Sequence, residues 1–225
     1  NFKEKVVVVS FGLEKTVSYG GGTKNGPKEI IKASHQVELY DEELNCEPYK
    51  RIGIKTLKPF KIDKNINKAL KKMSEVNKEI LNKKLFPMTF GGEHSISIGS
   101  IRAFNECFDK LTVLHIDAHA DLRKSYDGSP YSHACSMHEA SQKANLVQVG
   151  IRSMDISEKA YLDTDKTFFA HDMVNDAYWI DKVLDLLSEN VFISFDLDAF
   201  DVSIVPSTGT PEPGGLFWYE TLDFL

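Results

Sequence analysis

In the segment Leu114–Arg123, reading LHIDAHADLR, Asp117, His119 and Asp121 alternate directly after the apolar run Leu111–Ile116. Side chains two apart in an extended segment point the same way, so two carboxylates and an imidazole converge on one point. Uncompensated charge at the mouth of a buried strand is costly, and a divalent cation is the simplest neutraliser. Two other segments offer donors of the same kind. In Thr89–Ser95 (TFGGEHS) the glycines let backbone turn tightly or come close to a site, and His94 sits where a helix begins. In Ser194–Asp201 (SFDLDAFD), Asp196 and Asp198 alternate at another strand end, with Phe195, Leu197 and Phe200 between and beside them. Two carboxylates that repel each other there need a cation. Plainer readings exist: His94 as a surface histidine, the aspartates as helix caps. Against them stands the recurrence of ligand types at period two after a strand. Asp201 divides evenly between a supporting contact to the site and a turn residue.

His94, Asp117, His119, Asp121, Asp196 and Asp198 together exceed what one tetrahedral zinc requires. An oxygen-rich set with some imidazole suits Mn²⁺ or similar ions, and two ions can share bridging carboxylates. Two metals roughly 3.5 Å apart can hold a water and lower its pKa enough to supply hydroxide near neutral pH, so the reaction class is hydrolysis. Two further motifs lie close by in sequence. Ser129–Met137 (SPYSHACSM) places His133 at the start of an expected helix, where the dipole disfavours a charged imidazole and suits a proton shuttle. Its plain reading is a capping histidine. Ser207–Leu216 (STGTPEPGGL) is a Pro- and Gly-rich loop able to present hydroxyls and backbone groups to a substrate, or simply to connect. His35, His115, His138 and His171 lack such context and read as structural or surface residues.

These residues must be held by a frame. Val6–Phe11, Val37–Tyr40, Phe86–Phe90, Leu111–Ile116, Leu146–Ile151, Thr167–Ala170 and Val191–Leu197 read as strands. Between them, helices are expected over Pro27–Ala33, Asp63–Lys84, Ser95–Phe108, His133–Gln142, Ser157–Leu162 and Tyr178–Leu187, with the opening of another at Phe217–Leu225. Alternating strands and helices are the mark of an α/β domain on a mostly parallel sheet. In such sheets ligands bind beyond the carboxyl ends of the strands, where every acidic or histidine cluster above falls.

The 225 residues, 42% of them apolar, suffice for one large domain. A net charge of −6 argues against nucleic acid or an anionic membrane as the main partner. Cys46, Cys107 and Cys135, odd in number and without CxxC spacing, read as free thiols in a reducing compartment, hence the cytoplasm. No apolar run approaches a membrane span. Asn1 is not a natural start, and the last segment stops on an apolar residue without a C-cap signal, so the expectation is a single domain over 1–225, incomplete at its C-terminus.

GGEHS, DAHAD, SFDLDAFD and TGTPEPGGL, in that order and with SYGGGTKNGP before them, closely resemble the ureohydrolase family of arginases and agmatinases. The resemblance implies a three-layer α-β-α fold with a central, mostly parallel sheet and two Mn²⁺ per chain. One ion would sit on His94, Asp117, Asp121 and Asp196, the other on Asp117, His119, Asp196 and Asp198. A hydroxide bridging the ions would attack the guanidinium carbon, Asp121 would help stabilise the tetrahedral intermediate, and His133 would relay a proton to the departing amine. Thr210 matches a family threonine near the guanidinium group. The loop after Asp121, with Leu122-Arg123, Tyr126 and YSHACSM, is similar to the agmatinase pattern, which implies agmatine as substrate, yielding putrescine and urea. Guanidinobutyrate, arginine or guanidine are the alternatives, as is a non-catalytic metal-binding relative. The resemblance also implies a homo-oligomer, a trimer or hexamer. One departure is visible: the family's guanidinium-pairing glutamate lies in a later E-x-x-P-like segment that this sequence does not contain, and Glu212 lies in a different motif. A phosphatase reading of Asp196-x-Asp198 leaves HIDAHAD unexplained.

Overall fold

Four consecutive valines form the middle of the first strand, β1 (Glu4–Phe11), in the computed structural model, which describes residues 4–225. Asn1 lies outside the described residues. Val7, Val8, Val9 and Phe11 are all buried, so β1 is covered on both faces, as β-branched runs in parallel sheets are. It pairs in parallel with β2 (Gly53–Thr56) on one side and β3 (Phe86–Gly91) on the other. A second parallel sheet holds β4 (Leu111–Ile116), β5 (Asn145–Ile151), β6 (Thr167–Phe169) and β7 (Asn190–Phe195) in the order β6-β5-β4-β7. The expected central sheet is thus present as two parallel segments.

Helices cover these sheets: α1 (Gly26–Ala33), α2 (Ile66–Asn82), α3 (Ile96–Cys107), α4 (His138–Lys143), α5 (Ala170–Met173), α6 (Trp179–Leu184) and α7 (Trp218–Phe224). Leu70, Met73, Val76 and Ile80 form the buried stripe of α2 and pack with Val7, Val9 and Phe11 of β1 and Ile98 of α3. Alternation along β4 sends its side chains to two faces. Leu114 and Ile116 join Trp179, Val183 and Phe224 on one, while Leu111 and Val113 join Ile101, Leu122 and Met137 on the other. Helices therefore lie on both faces of the second sheet, giving the three-layer α/β architecture.

Register sets where the chemistry emerges. Ile116 pairs with both Val149 and Phe195, so β4 and β7 end level while β5 runs on to Ile151. The Asp117 N–H continues the ladder to the Val149 carbonyl at 3.1 Å, and the Asp196 N–H to the Ile116 carbonyl at 2.9 Å. The two acidic motifs leave the sheet side by side. His94 comes from the turn after β3, where Gly92 is required: a Cβ there would lie 2.2 Å from the Leu13 carbonyl oxygen.

Some expectations are corrected. Val37–Tyr40 forms no strand; Val37, Leu39 and Tyr40 are exposed, and the partner of β1 is instead Gly53–Thr56. β-branched and aromatic residues favour a strand only where a pleated surface awaits them. His133–Gln142 is a 3₁₀ turn at His133–Cys135 followed by α4, and the segment near Ser157 is a 3₁₀ helix over Ile156–Ala160. The helix expected over Tyr178–Leu187 ends at Leu184. Among the described residues, no helix is long and apolar enough to cross a membrane.

Candidate metal centre

The structure brings all six sequence-derived donors into one cluster. His94 Nδ1 lies 2.9 Å from Asp117 Oδ2, 3.1 Å from Asp121 Oδ2 and 3.2 Å from Asp196 Oδ2. On the other side of Asp117, Oδ1 is 3.5 Å from His119 Nδ1, which is 3.2 Å from Asp198 Oδ2. Asp117 is therefore common to two groups of donors, one towards His94 and Asp121, the other towards His119 and Asp198.

Each donor is held from behind. His94 Nε2 meets Ser194 Oγ at 2.8 Å, and Ser97 Oγ stands 2.9 Å from the same hydroxyl. The His119 N–H donates to Asp117 Oδ1 at 2.7 Å, and the Asp198 N–H to Asp196 Oδ1 at 3.2 Å. Asp121 sits in the left-handed region with φ of 53°, a conformation aspartate tolerates better than most residues, and Ser136 Oγ donates to its Oδ2 at 2.7 Å.

Four residues near the cluster were given no role there by sequence reasoning. His115, read as structural or surface, is fully buried, its Nε2 2.9 Å from Asp117 Oδ2. The Gln148 amide nitrogen lies 2.9 Å from His115 Nδ1 and donates to the Ala120 carbonyl at 2.9 Å. An amide nitrogen only donates, so His115 carries its proton on Nε2 and gives it to Asp117. The signal was present: His115 shares the period-two register of Asp117 and His119. Glu212 brings Oε1 to 3.9 Å from His119 Nε2. The Arg152 guanidinium donates to the carbonyls of Asp198 at 2.6 Å and Glu212 at 2.7 Å, tying that loop to the metal motif. Thr210 lies exposed on the same loop. Asp201 resolves as a turn residue: it accepts from Ser203 and from the N–H groups of Gly214 and Gly215, and the Ser203 hydrogen bonds chiefly hold its carboxyl well below the usual carboxylate range.

The electrostatics are those of a site that wants positive charge. Burial works against a charged His94 imidazole, yet the Asp117, Asp121 and Asp196 carboxylates crowding it raise its pKa well above the usual value. His119 is pushed up to about 11 in the same way, burial being overcome by Asp117 and Asp198. Burial raises Asp198 to about 7, against the pull of His119. Asp117 is held well below the usual range in spite of its burial, by His115, His119 and His94. His94 Nδ1 is buried with no well-angled hydrogen-bond partner although three carboxylate oxygens crowd it. Four carboxylates and two imidazoles converging in this manner fit a pair of hard or borderline divalent cations that share Asp117.

His133 lies at the start of its 3₁₀ turn, Nε2 2.9 Å from the exposed Ser18 hydroxyl, with the Tyr126 ring edge-on 5.6 Å away. A cavity of about 200 Å³ adjoins it, lined by Lys15, Thr16, Val17, Tyr126, Asp127, Ser129 and Ser132.

Comparison with known proteins gives the arrangement a context. A sequence model described as the arginase family matches residues 4–225. The chain is similar to the N(1)-aminopropylagmatine ureohydrolase of a Synechocystis species, 36% identical over 98% of this chain and 75% of that protein. It is also similar to an agmatinase of Pyrococcus horikoshii, 32% identical over 97% of this chain and 77% of the other. Among solved structures, the agmatine ureohydrolase of Thermoplasma volcanium superposes with a TM-score of 0.84 at 28% identity, covering 99% of this chain and 76% of that one.

Proposed function

The chain belongs to the arginase family and is an agmatinase-like amidinohydrolase, and from that premise we propose that it hydrolyses agmatine to putrescine and urea with two Mn²⁺ ions. The observation that carries the reading is Asp117 shared between two His/Asp groups, as a two-cation site requires. His94, Asp117, Asp121 and Asp196 would hold one ion; Asp117, His119, Asp196 and Asp198 would hold the other. The cations, when bound, supply the Lewis acidity that makes hydroxide available near neutral pH. The chain's own groups do the rest. Asp121, steadied by Ser136, accepts hydrogen bonds from the amino groups of the guanidinium as its carbon becomes tetrahedral. Thr210 contributes a hydroxyl towards the same group. His133 protonates the leaving nitrogen, the C–N bond breaks, and the amine departs from urea. A cytoplasmic homo-oligomer, trimeric or hexameric, belongs to the same reading.

One observation favours a second substrate. The 36% identical relative and others at 33% identity are named for N(1)-aminopropylagmatine, an agmatine extended by an aminopropyl group. Both compounds present the same guanidinium to the cluster and differ only in the amine tail. The test is urea release with manganese supplied, across agmatine, N(1)-aminopropylagmatine, guanidinobutyrate, arginine and guanidine. The expected result is urea from agmatine, abolished by a chelator and restored by Mn²⁺. Urea from the aminopropyl compound alone would select the second substrate, and no urea from any of the five would reject the reading.

A further inference from the structure

Glu93, between Gly92 and the candidate ligand His94, is buried, and the four groups that meet its carboxyl oxygens are all donors. The Lys15 and Thr16 N–H groups donate to Oε2, the latter at 2.7 Å. Thr16 Oγ1 and Ser95 Oγ donate to Oε1 at 2.8 and 2.6 Å. A carboxyl group met by four donors acts as an acceptor throughout. The consequence falls on Thr16. Its one hydroxyl proton is committed to Glu93, so its oxygen is left to accept, and it faces His133 twice. The His133 N–H donates to Thr16 Oγ1 at 3.0 Å, and His133 Nδ1 lies 3.2 Å from the same oxygen. An oxygen that can only accept there favours the proton on Nδ1, and Ser132 Oγ, 3.2 Å from the same nitrogen, can serve as a second acceptor for it. Nε2 is then the nitrogen with a lone pair to offer, and it faces the open side, next to Ser18.

We propose that Glu93 and Thr16 are positioning residues for proton transfer: they fix His133 as the Nδ1–H tautomer and leave Nε2 as the atom that takes up and releases the proton. This rests on the ureohydrolase reading above. In the transfer, protonated Nε2 gives its proton to the departing amine nitrogen as the C–N bond breaks. His133 returns to the neutral form with Nδ1–H still held by Thr16. Glu93 and Thr16 exchange no proton. The same carboxylate thus ties the turn that carries His94 to the orientation of a histidine 40 positions later in the sequence, so cation site and proton donor are set by one buried group.

A double-mutant cycle tests this, using whichever guanidino compound the wild-type protein hydrolyses. Thr16→Val keeps the shape and removes the hydroxyl. It is expected to lower kcat about tenfold or more while KM stays within about twofold and metal content is unchanged, with Thr16→Ser restoring turnover. In a His133→Asn background the same Thr16→Val change is expected to cost nothing further, because groups acting through one residue are not additive. An equal loss of kcat in both backgrounds, or no loss in the wild-type background, overturns the proposal, as does Thr16→Ser failing to restore turnover. Should Thr16→Val not fold, Thr16→Ala and Glu93→Gln take its place in the cycle. Loss of metal by these variants would make Thr16 and Glu93 struts of the metal loop and would also overturn the proposal. Wild-type protein that releases no urea from any guanidino compound is a separate result, which fails the functional reading instead.

Discussion

Replacing Asp117 with asparagine is expected to strip the protein of bound metal and cut urea release by more than about a thousandfold, equivalent to ~4 kcal/mol at the transition state. Asp117 serves both donor groups, with one oxygen towards His94 and the other towards His119. Asparagine keeps the size and one acceptor oxygen but loses the charge and presents N–H donors to a cation. It also disturbs the carboxylate that His115 Nε2 supports from behind. Metal per chain after dialysis and the initial rate of urea formation read the effect together. Full metal content with a rate within tenfold of wild type would remove Asp117 from the centre of the account.

His133→Asn is expected to separate binding from turnover. His133 stands on its own 3₁₀ turn, held through Thr16 Oγ1 and beside Ser18. The two metals should therefore remain, and KM should change little. With no proton donor for the leaving amine, kcat is expected to fall by about a hundredfold or more, the usual size of a general-acid contribution. Rapid turnover by this variant at unchanged metal content would show that the departing amine takes its proton from elsewhere.

The clustering of the six side chains was legible because alternating ligand types directly follow two apolar runs. β4 and β7 themselves end at Ile116 and Phe195, however, and the groups meet through a bend, a left-handed Asp121 and a 3₁₀ turn at Leu197–Ala199. That Asp196 and Asp198 would stand beside Asp117, His119 and Asp121 depended on β7 pairing with β4, which hydrophobic runs suggest but do not order. The elements that misled are those whose neighbours decide the outcome. Val37–Tyr40 has the residues of a strand and no surface to lie on, while the short Gly53–Thr56 segment, with one apolar side chain, joins β1. His115 shares the register of the donors, yet its role became clear only with Gln148 placed against Nδ1 from the adjacent strand. Glu212 and Arg152 meet the site through a loop whose path is set by hydrogen bonds to carbonyl groups, which carry no side-chain signature. The link from Glu93 through Thr16 to His133 joins three segments distant in sequence, and no spacing rule could expose it.

Anomalous scattering at the manganese edge, from crystals of the protein loaded with Mn²⁺, bears most directly on the claim that these side chains hold a pair of cations. Two peaks are predicted about 3.5 Å apart, one against His94, Asp117, Asp121 and Asp196, the other against Asp117, His119, Asp196 and Asp198. Manganese found only elsewhere in the molecule, or no bound manganese at all, would contradict it.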